Sequence, residues 1–141
     1  MVNFVIFLHV IGAAGLGFYL VLPFLVGRAS RLAGEGQSGL SEGLVSGNRI
    51  AQYFLILSFL TGGYLISQAE YAVVWIVLVI LLFLAIAAVA GIMTGPLKRI
   101  AVAIQGGQSA SGHIRKARTM SFIVLVLYLV IVYMMKYPVY R

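Results

Sequence analysis

The sequence predicts an all-α protein, an integral membrane four-helix bundle with its N and C termini outside. Three observations predict it. Of the 141 residues, 62% are hydrophobic and 9% charged, a balance that a water-soluble domain does not carry. Four runs contain no Asp, Glu, Lys or Arg: Val2–Gly27, Ile50–Ala69, Tyr71–Leu97 and Thr119–Met135. The basic residues all fall outside these runs. A run of ~20 apolar residues crosses the ~30 Å of hydrocarbon in a bilayer. The fourth run is shorter, and Lys136 extends it by snorkelling. The spans are placed at about residues 2–27, 50–66, 68–95 and 117–137, in one transmembrane domain over 1–141.

The first span opens the chain without a basic leader or a small-residue cleavage motif, so it reads as a retained span and not a signal peptide. Pro23 lies inside it and removes one backbone hydrogen bond, which predicts a kink near its far end. Arg28 and Arg31 mark the interface beyond. The stretch Gly34-Glu35-Gly36-Gln37-Ser38-Gly39 has the spacing G-x-G-x-x-G, but no strand precedes it, so it reads as a flexible loop and not a nucleotide fingerprint. Leu40–Arg49 is expected to form a short interfacial helix.

The second and third spans are joined by a tight turn. Ser67-Gln68-Ala69-Glu70 matches a capping box, with Ser67 as cap and Glu70 reaching back to it. Tyr64, Tyr71 and Trp75 flank the turn as an interfacial aromatic belt. The third span ends in small residues, Ala87, Ala88, Ala90, Gly91 and Gly95, spaced for close helix packing. Gly95-Pro96 is expected to break or bend it. Gly106-Gly107 is the flexible point of the next connector, and His113 in that basic loop reads as solvated or headgroup-facing.

Charge sets the orientation. The two long connectors carry Arg28, Arg31, Arg49, Lys98, Arg99, Arg115, Lys116 and Arg118, against Lys136 and Arg141 at the other end. The positive-inside rule makes the long loops cytoplasmic and both termini outside. The net charge of +7 therefore suits anionic lipid and not nucleic acid.

Several chemistries are excluded. There is no cysteine, hence no disulfide, thiolate metal site or iron–sulfur cluster. Aspartate is absent, and the three glutamates lie outside the spans, so neither a Ser-His-Asp set nor a paired-carboxylate mechanism is available.

His9 is the ionisable group that stands out. An imidazole at membrane depth is costly to keep and is a functional candidate on that ground. On a helix its face continues through Gly12, Ala13 and Gly17, a trough with almost no side chain. The trough admits either a neighbouring helix, with His9 hydrogen-bonded to it, or a flat cofactor whose metal the imidazole binds. At 1.5 Å per residue His9 lies roughly 10 Å below the outer interface. Other groups near its depth or just above it are Tyr64, Glu70, Tyr133, Met134, Met135 and Lys136, with Thr61-Gly62-Gly63 as a second place without bulk. Zinc would need three or four protein ligands. One histidine, glycine-lined walls and a Met or Lys for a second position suit haem. Lys136 would have to be neutral to ligate; otherwise it snorkels.

The His9-Val10-Ile11-Gly12 start, Thr61-Gly62 in the second span and the Met134-Met135-Lys136-Tyr137-Pro138 end resemble a superfamily of small membrane proteins. It includes the CopD-type copper-resistance membrane domain, CopD-related integral membrane proteins and the HemJ-type protoporphyrinogen oxidases. Gly15-Leu16-Gly17-Phe18-Tyr19-Leu20-Val21-Leu22-Pro23 is similar to the HemJ-type A-G-L-F-Y-L-P. The resemblance implies b-type haem on His9 and a role for Lys136. The HemJ type also has an arginine after that proline and a histidine shortly beyond, which this chain lacks; it lacks too the extra metal-binding segment of CopD.

The expected function is a membrane haem-binding protein, a minimal b-type cytochrome in electron transfer or haem handling. The expected cofactor is haem b, held by His9, Gly12, Ala13, Gly17 and Gly62 with Met135 or Lys136. The alternatives are a HemJ-like protoporphyrinogen oxidase, CopD-like copper or metal-ion transport, and an accessory membrane subunit. The expected setting is the plasma membrane, as a possible homodimer with a redox or haem-handling partner of unspecified identity.

Overall fold

The computed structural model describes residues 1–32 and 34–141. Five helices follow in order: α1 Val2–Gly15, α2 Phe18–Ala29, α3 Gly34–Ser67, α4 Val73–Gln105 and α5 Ser111–Lys136. The fold is all-α. Together α1 and α2 form one stretch, Val2–Ala29, so four helical segments are long and apolar enough to cross a membrane. Large apolar side chains such as Phe4, Phe7, Phe24, Leu60 and Leu81 point outward, as lipid-facing positions do.

The first span breaks at Leu16-Gly17, nearly two turns before Pro23. Here the backbone tightens: Gly17 N–H donates to Ala14, and Tyr19 N–H to Leu16, in three-residue steps. Glycine suits this turn, since a Cβ at Gly17 would lie 2.9 Å from the Ala14 carbonyl oxygen. Pro23 instead sits buried inside α2. Gly12, Gly15 and Gly17 each weaken the helix here by up to ~1 kcal/mol against alanine.

Three helices run past the boundaries expected from charge. Gly34–Gly39 is the opening of α3 and not a loop, and Leu40–Arg49 is no separate helix but part of the same one. The reason is its buried stripe: Ser41, Leu44, Asn48, Ala51, Leu55 and Ser58 alternate steps of three and four. In α4 the stripe Ala90, Met93, Leu97 and Ile100 continues through Pro96 and holds the helix together to Gln105. In α5 the stripe Ile114, Ala117, Ser121, Val124, Tyr128 and Ile131 begins well before residue 117.

The capping box does not form. The cap of α4 is Ala72, without a side-chain bond, and Ser67 Oγ donates back to the Tyr64 carbonyl at 2.6 Å. The C-terminal tail takes over instead. Tyr71 pairs with Tyr140 in an isolated antiparallel bridge, Ala72 N–H donates to Val139 and Arg141 N–H to Glu70, both at 2.8 Å. Trp75 is buried too, so it leaves the expected aromatic belt; Tyr64, Tyr133, Tyr137 and Tyr140 are exposed. Gly91 and Gly95 meet nothing within 4 Å, while Ala90 beside them is buried.

The two halves of the bundle are packed differently. Toward the long connectors, Tyr19, Leu22, Val26, Met93, Leu97, Ile100 and Val124 are fully buried. There α2 packs on α5 and α3. At the other end α1 packs on α3 and forms no comparable seam with α5. The break at Leu16-Gly17 lets the first span change neighbours, and a cavity opens where α1 leans away.

Candidate functional site

The cavity has a volume of about 490 Å³ and lies between α1, α3, α4 and α5. Its walls are mostly apolar and aromatic: Phe59 and Gly62 of α3, Trp75 and Phe83 of α4, Tyr128 and Ile131 of α5. His9 and Ala13 line it from α1.

His9 is held from one side. Its Nδ1 lies 2.9 Å from Thr61 Oγ1. That hydroxyl has one proton, which it gives to the Leu57 carbonyl at 2.8 Å, in the usual i−4 pattern of a helical threonine. Turned toward the ring, the hydroxyl would donate to Nδ1; with its proton on Leu57 it accepts from Nδ1–H, and Nε2 keeps a lone pair. This is how a ligating histidine is oriented, with one nitrogen fixed by a hydrogen bond and the other free for a metal. Gly62 gives the ring its room: a Cβ there would lie 3.2 Å from His9 Cε1.

Close contact of α1 with α3 sets the depth of the ring. A Cβ on Gly12 would run into Ser58 Oγ, and one on Gly15 into the Phe54 ring. Ser58 lines the cavity, and its buried hydroxyl has no hydrogen-bond partner among the described residues. At the floor, Tyr128 donates its hydroxyl to the Ala13 carbonyl at 2.8 Å. The mouth is built by the tail. Tyr71 stacks between Trp75, at 4.7 Å, and Tyr140, at 5.0 Å, while the Trp75 indole donates to the Met134 carbonyl at 3.2 Å. Burial holds the Tyr71 phenol above its usual pKa range, and Tyr140 beside it adds to this.

The expected site residues separate into two groups. His9, Ala13, Gly62 and Met135 line one cavity. Gly12 faces Ser58 in the helix seam, Gly17 makes the break, and Lys136 is exposed and absent from the lining. Thr61 was expected as a place without bulk; its hydroxyl turns out to be the partner of His9. Ser58, Tyr128 and the Phe59–Phe83 pair, with centroids 5.5 Å apart, were not foreseen. Their signal was present: Phe59 and Gly62 lie close to Thr61 on α3, and Tyr128 carries a hydroxyl within a mostly apolar stripe.

A second polar cluster lies nearer the connectors and was also missed. Tyr19 donates to Asn48 Oδ1 at 2.8 Å, and Asn48 Nδ2 donates to the Ala90 carbonyl at 3.0 Å and Thr94 Oγ1 at 3.1 Å. Gln52, one turn on, donates to the Ala90 carbonyl at 3.2 Å. Every polar atom of the buried asparagine amide has a partner, and the cluster joins α2, α3 and α4.

Among the described residues, no group of three or more His, Cys, Asp or Glu side chains gathers to hold a metal ion. No protein-family model matches the chain, and no curated protein or solved structure matches it significantly.

Proposed function

We propose that this protein binds haem b in the cavity beside His9 and serves as a minimal membrane cytochrome in electron transfer or haem handling. The observation that supports it is one imidazole, held at Nδ1 by Thr61, on the wall of an apolar, aromatic cavity of about 490 Å³. A bare metal ion needs several protein donors, and among the described residues His9 is the one histidine, cysteine or carboxylate residue lining this cavity. A porphyrin brings its own ring nitrogens, so one side-chain nitrogen suffices. His9 would supply the axial bond, Thr61 would orient the ring, and Phe59, Phe83 and Trp75 would contact the macrocycle. Met135, at the rim, is the better placed of the two candidate second ligands, because Lys136 is exposed outside the lining. When bound, the haem supplies a one-electron couple; the chain supplies binding, orientation and exclusion of water.

The same donor set argues against copper transport, which needs a polar path through the bundle. A porphyrin oxidase would need room for a porphyrin substrate beyond the haem itself. Absorption spectra of the detergent-purified protein, oxidised and dithionite-reduced, test the proposal. A Soret band that shifts on reduction is expected; its absence after growth with haem precursor, and after addition of haemin, overturns it. The proposed setting is the plasma membrane with the basic connectors cytoplasmic.

A further inference from the structure

We infer that the opposite end of the bundle binds a phosphate group, in a polar cavity framed by Arg115 and Arg118, and that this phosphate belongs to an anionic phospholipid. The inference does not rest on the haem reading.

The cavity has a volume of about 430 Å³ and is lined by Ser30, Gln37, Gln108, Ser109, Ser111 and the two arginines, with Ala110 and Ile114 beneath them. Its two charged side chains are both cationic, and no acidic side chain is in its lining. Arg115 and Arg118 are three residues apart and share a side of α5. A guanidinium presents a planar fork of N–H donors that fits two phosphate oxygens at once. The hydroxyls of Ser109 and Ser111 lie 3.1 Å apart beside it. Gln37 is anchored to the Ala29 carbonyl at 3.0 Å, which fixes that wall. In the first turn of α5 the Ser111 N–H donates to Ser109 Oγ, and the helix dipole favours an anion at the N–H groups that follow. Two like charges within one turn of a helix repel each other, and a bound anion relieves this.

Depth names the source. Arg118 immediately precedes the uncharged run that begins at Thr119, and its guanidinium lies over the Phe122 ring at 5.8 Å. The cavity is therefore level with the boundary between hydrocarbon and headgroups, where lipid phosphates lie. It is also much larger than a water site requires, with room for a headgroup beyond the phosphate.

Native mass spectrometry of the full chain, released from detergent with phosphatidylglycerol or phosphatidylcholine, tests this. Wild type is expected to retain one phosphatidylglycerol in preference to phosphatidylcholine. Arg115→Gln/Arg118→Gln should weaken that retention about tenfold or more, from the loss of two charge-assisted contacts. Lys98→Gln/Lys116→Gln removes the same charge from exposed positions outside the cavity and should change retention by less than about twofold. Circular dichroism and gel filtration confirm that both double variants are folded. Equal loss in both, or no loss in either, overturns the site. A thermal-shift arm with inorganic phosphate distinguishes the sources. No stabilisation by phosphate alone is expected; stabilisation that vanishes in the arginine double variant overturns the lipid source and keeps the anion site.

Discussion

The Tyr128 hydroxyl donates a 2.8 Å hydrogen bond to the Ala13 backbone carbonyl, across 115 positions of sequence. That carbonyl is the one the helix break sets free. In a continuous helix Gly17 N–H would reach it, but Gly17 turns to Ala14 instead. The tyrosine thus satisfies a backbone group that would otherwise be unpaired at membrane depth, where water is scarce. It also ties α1 to α5 at the point where the two diverge to form the His9 cavity.

Tyr128→Phe should therefore destabilise the bundle by roughly 1–2 kcal/mol, the usual cost of a polar group left unpaired in the interior. Reversible SDS or thermal unfolding in detergent measures it. Wild-type stability in Tyr128→Phe would show that the carbonyl finds another partner.

Gly12 should tolerate no side chain. A Cβ there meets Ser58 Oγ, so Gly12→Leu forces α1 off α3 and carries His9 away from Thr61. The expected result is loss of haem binding, or of folded monodisperse protein. Phe7→Leu, at a lipid-facing position, should leave both intact. Equal damage from the two would mean that α1 is seated on another face.

Asn48→Leu should destabilise the chain by roughly 1–2 kcal/mol, as removal of a multiply bonded polar residue between membrane helices does. It leaves the Tyr19 hydroxyl and the Thr94 side chain without their shared partner. The double variant Tyr19→Phe/Asn48→Leu should recover part of the loss, since it removes the stranded hydroxyl. Additive losses would dissolve the network.

These residues mark how far the sequence could be read. The number of spans followed from uncharged runs, and helix type from their length. Helix ends did not, because charge marks where the hydrocarbon stops and not where the helix does. Lys116 is exposed while Ile114 and Ala117 bury the same turn of α5. Ser67 to Glu70 fitted a local cap, yet the α4 entry is held by Tyr140 and Val139, which only the tertiary fold brings near. His9 stood out because an imidazole in an apolar run is rare. Thr61 did not, since a single threonine in a span resembles any other until its neighbour is known. Asn48 was hidden for another reason: it preceded the run chosen as the second span.

Cysteine labelling at Ser38 and Ser109 tests the orientation. Both positions lie at the end rich in arginine and lysine, and both should be reached by an impermeant maleimide only after the cells are opened. Labelling of both in intact cells reverses the bundle.

The account centres on His9 as the axial ligand, and the Soret absorbance of His9→Ala after haemin reconstitution tests that most directly. Wild type should bind haemin near one to one with a defined Soret maximum that shifts on reduction. His9→Ala, folded by circular dichroism, should lose most of that intensity, because the protein then offers no other imidazole at the cavity. A full Soret band with unchanged reduction shift in His9→Ala would contradict the assignment.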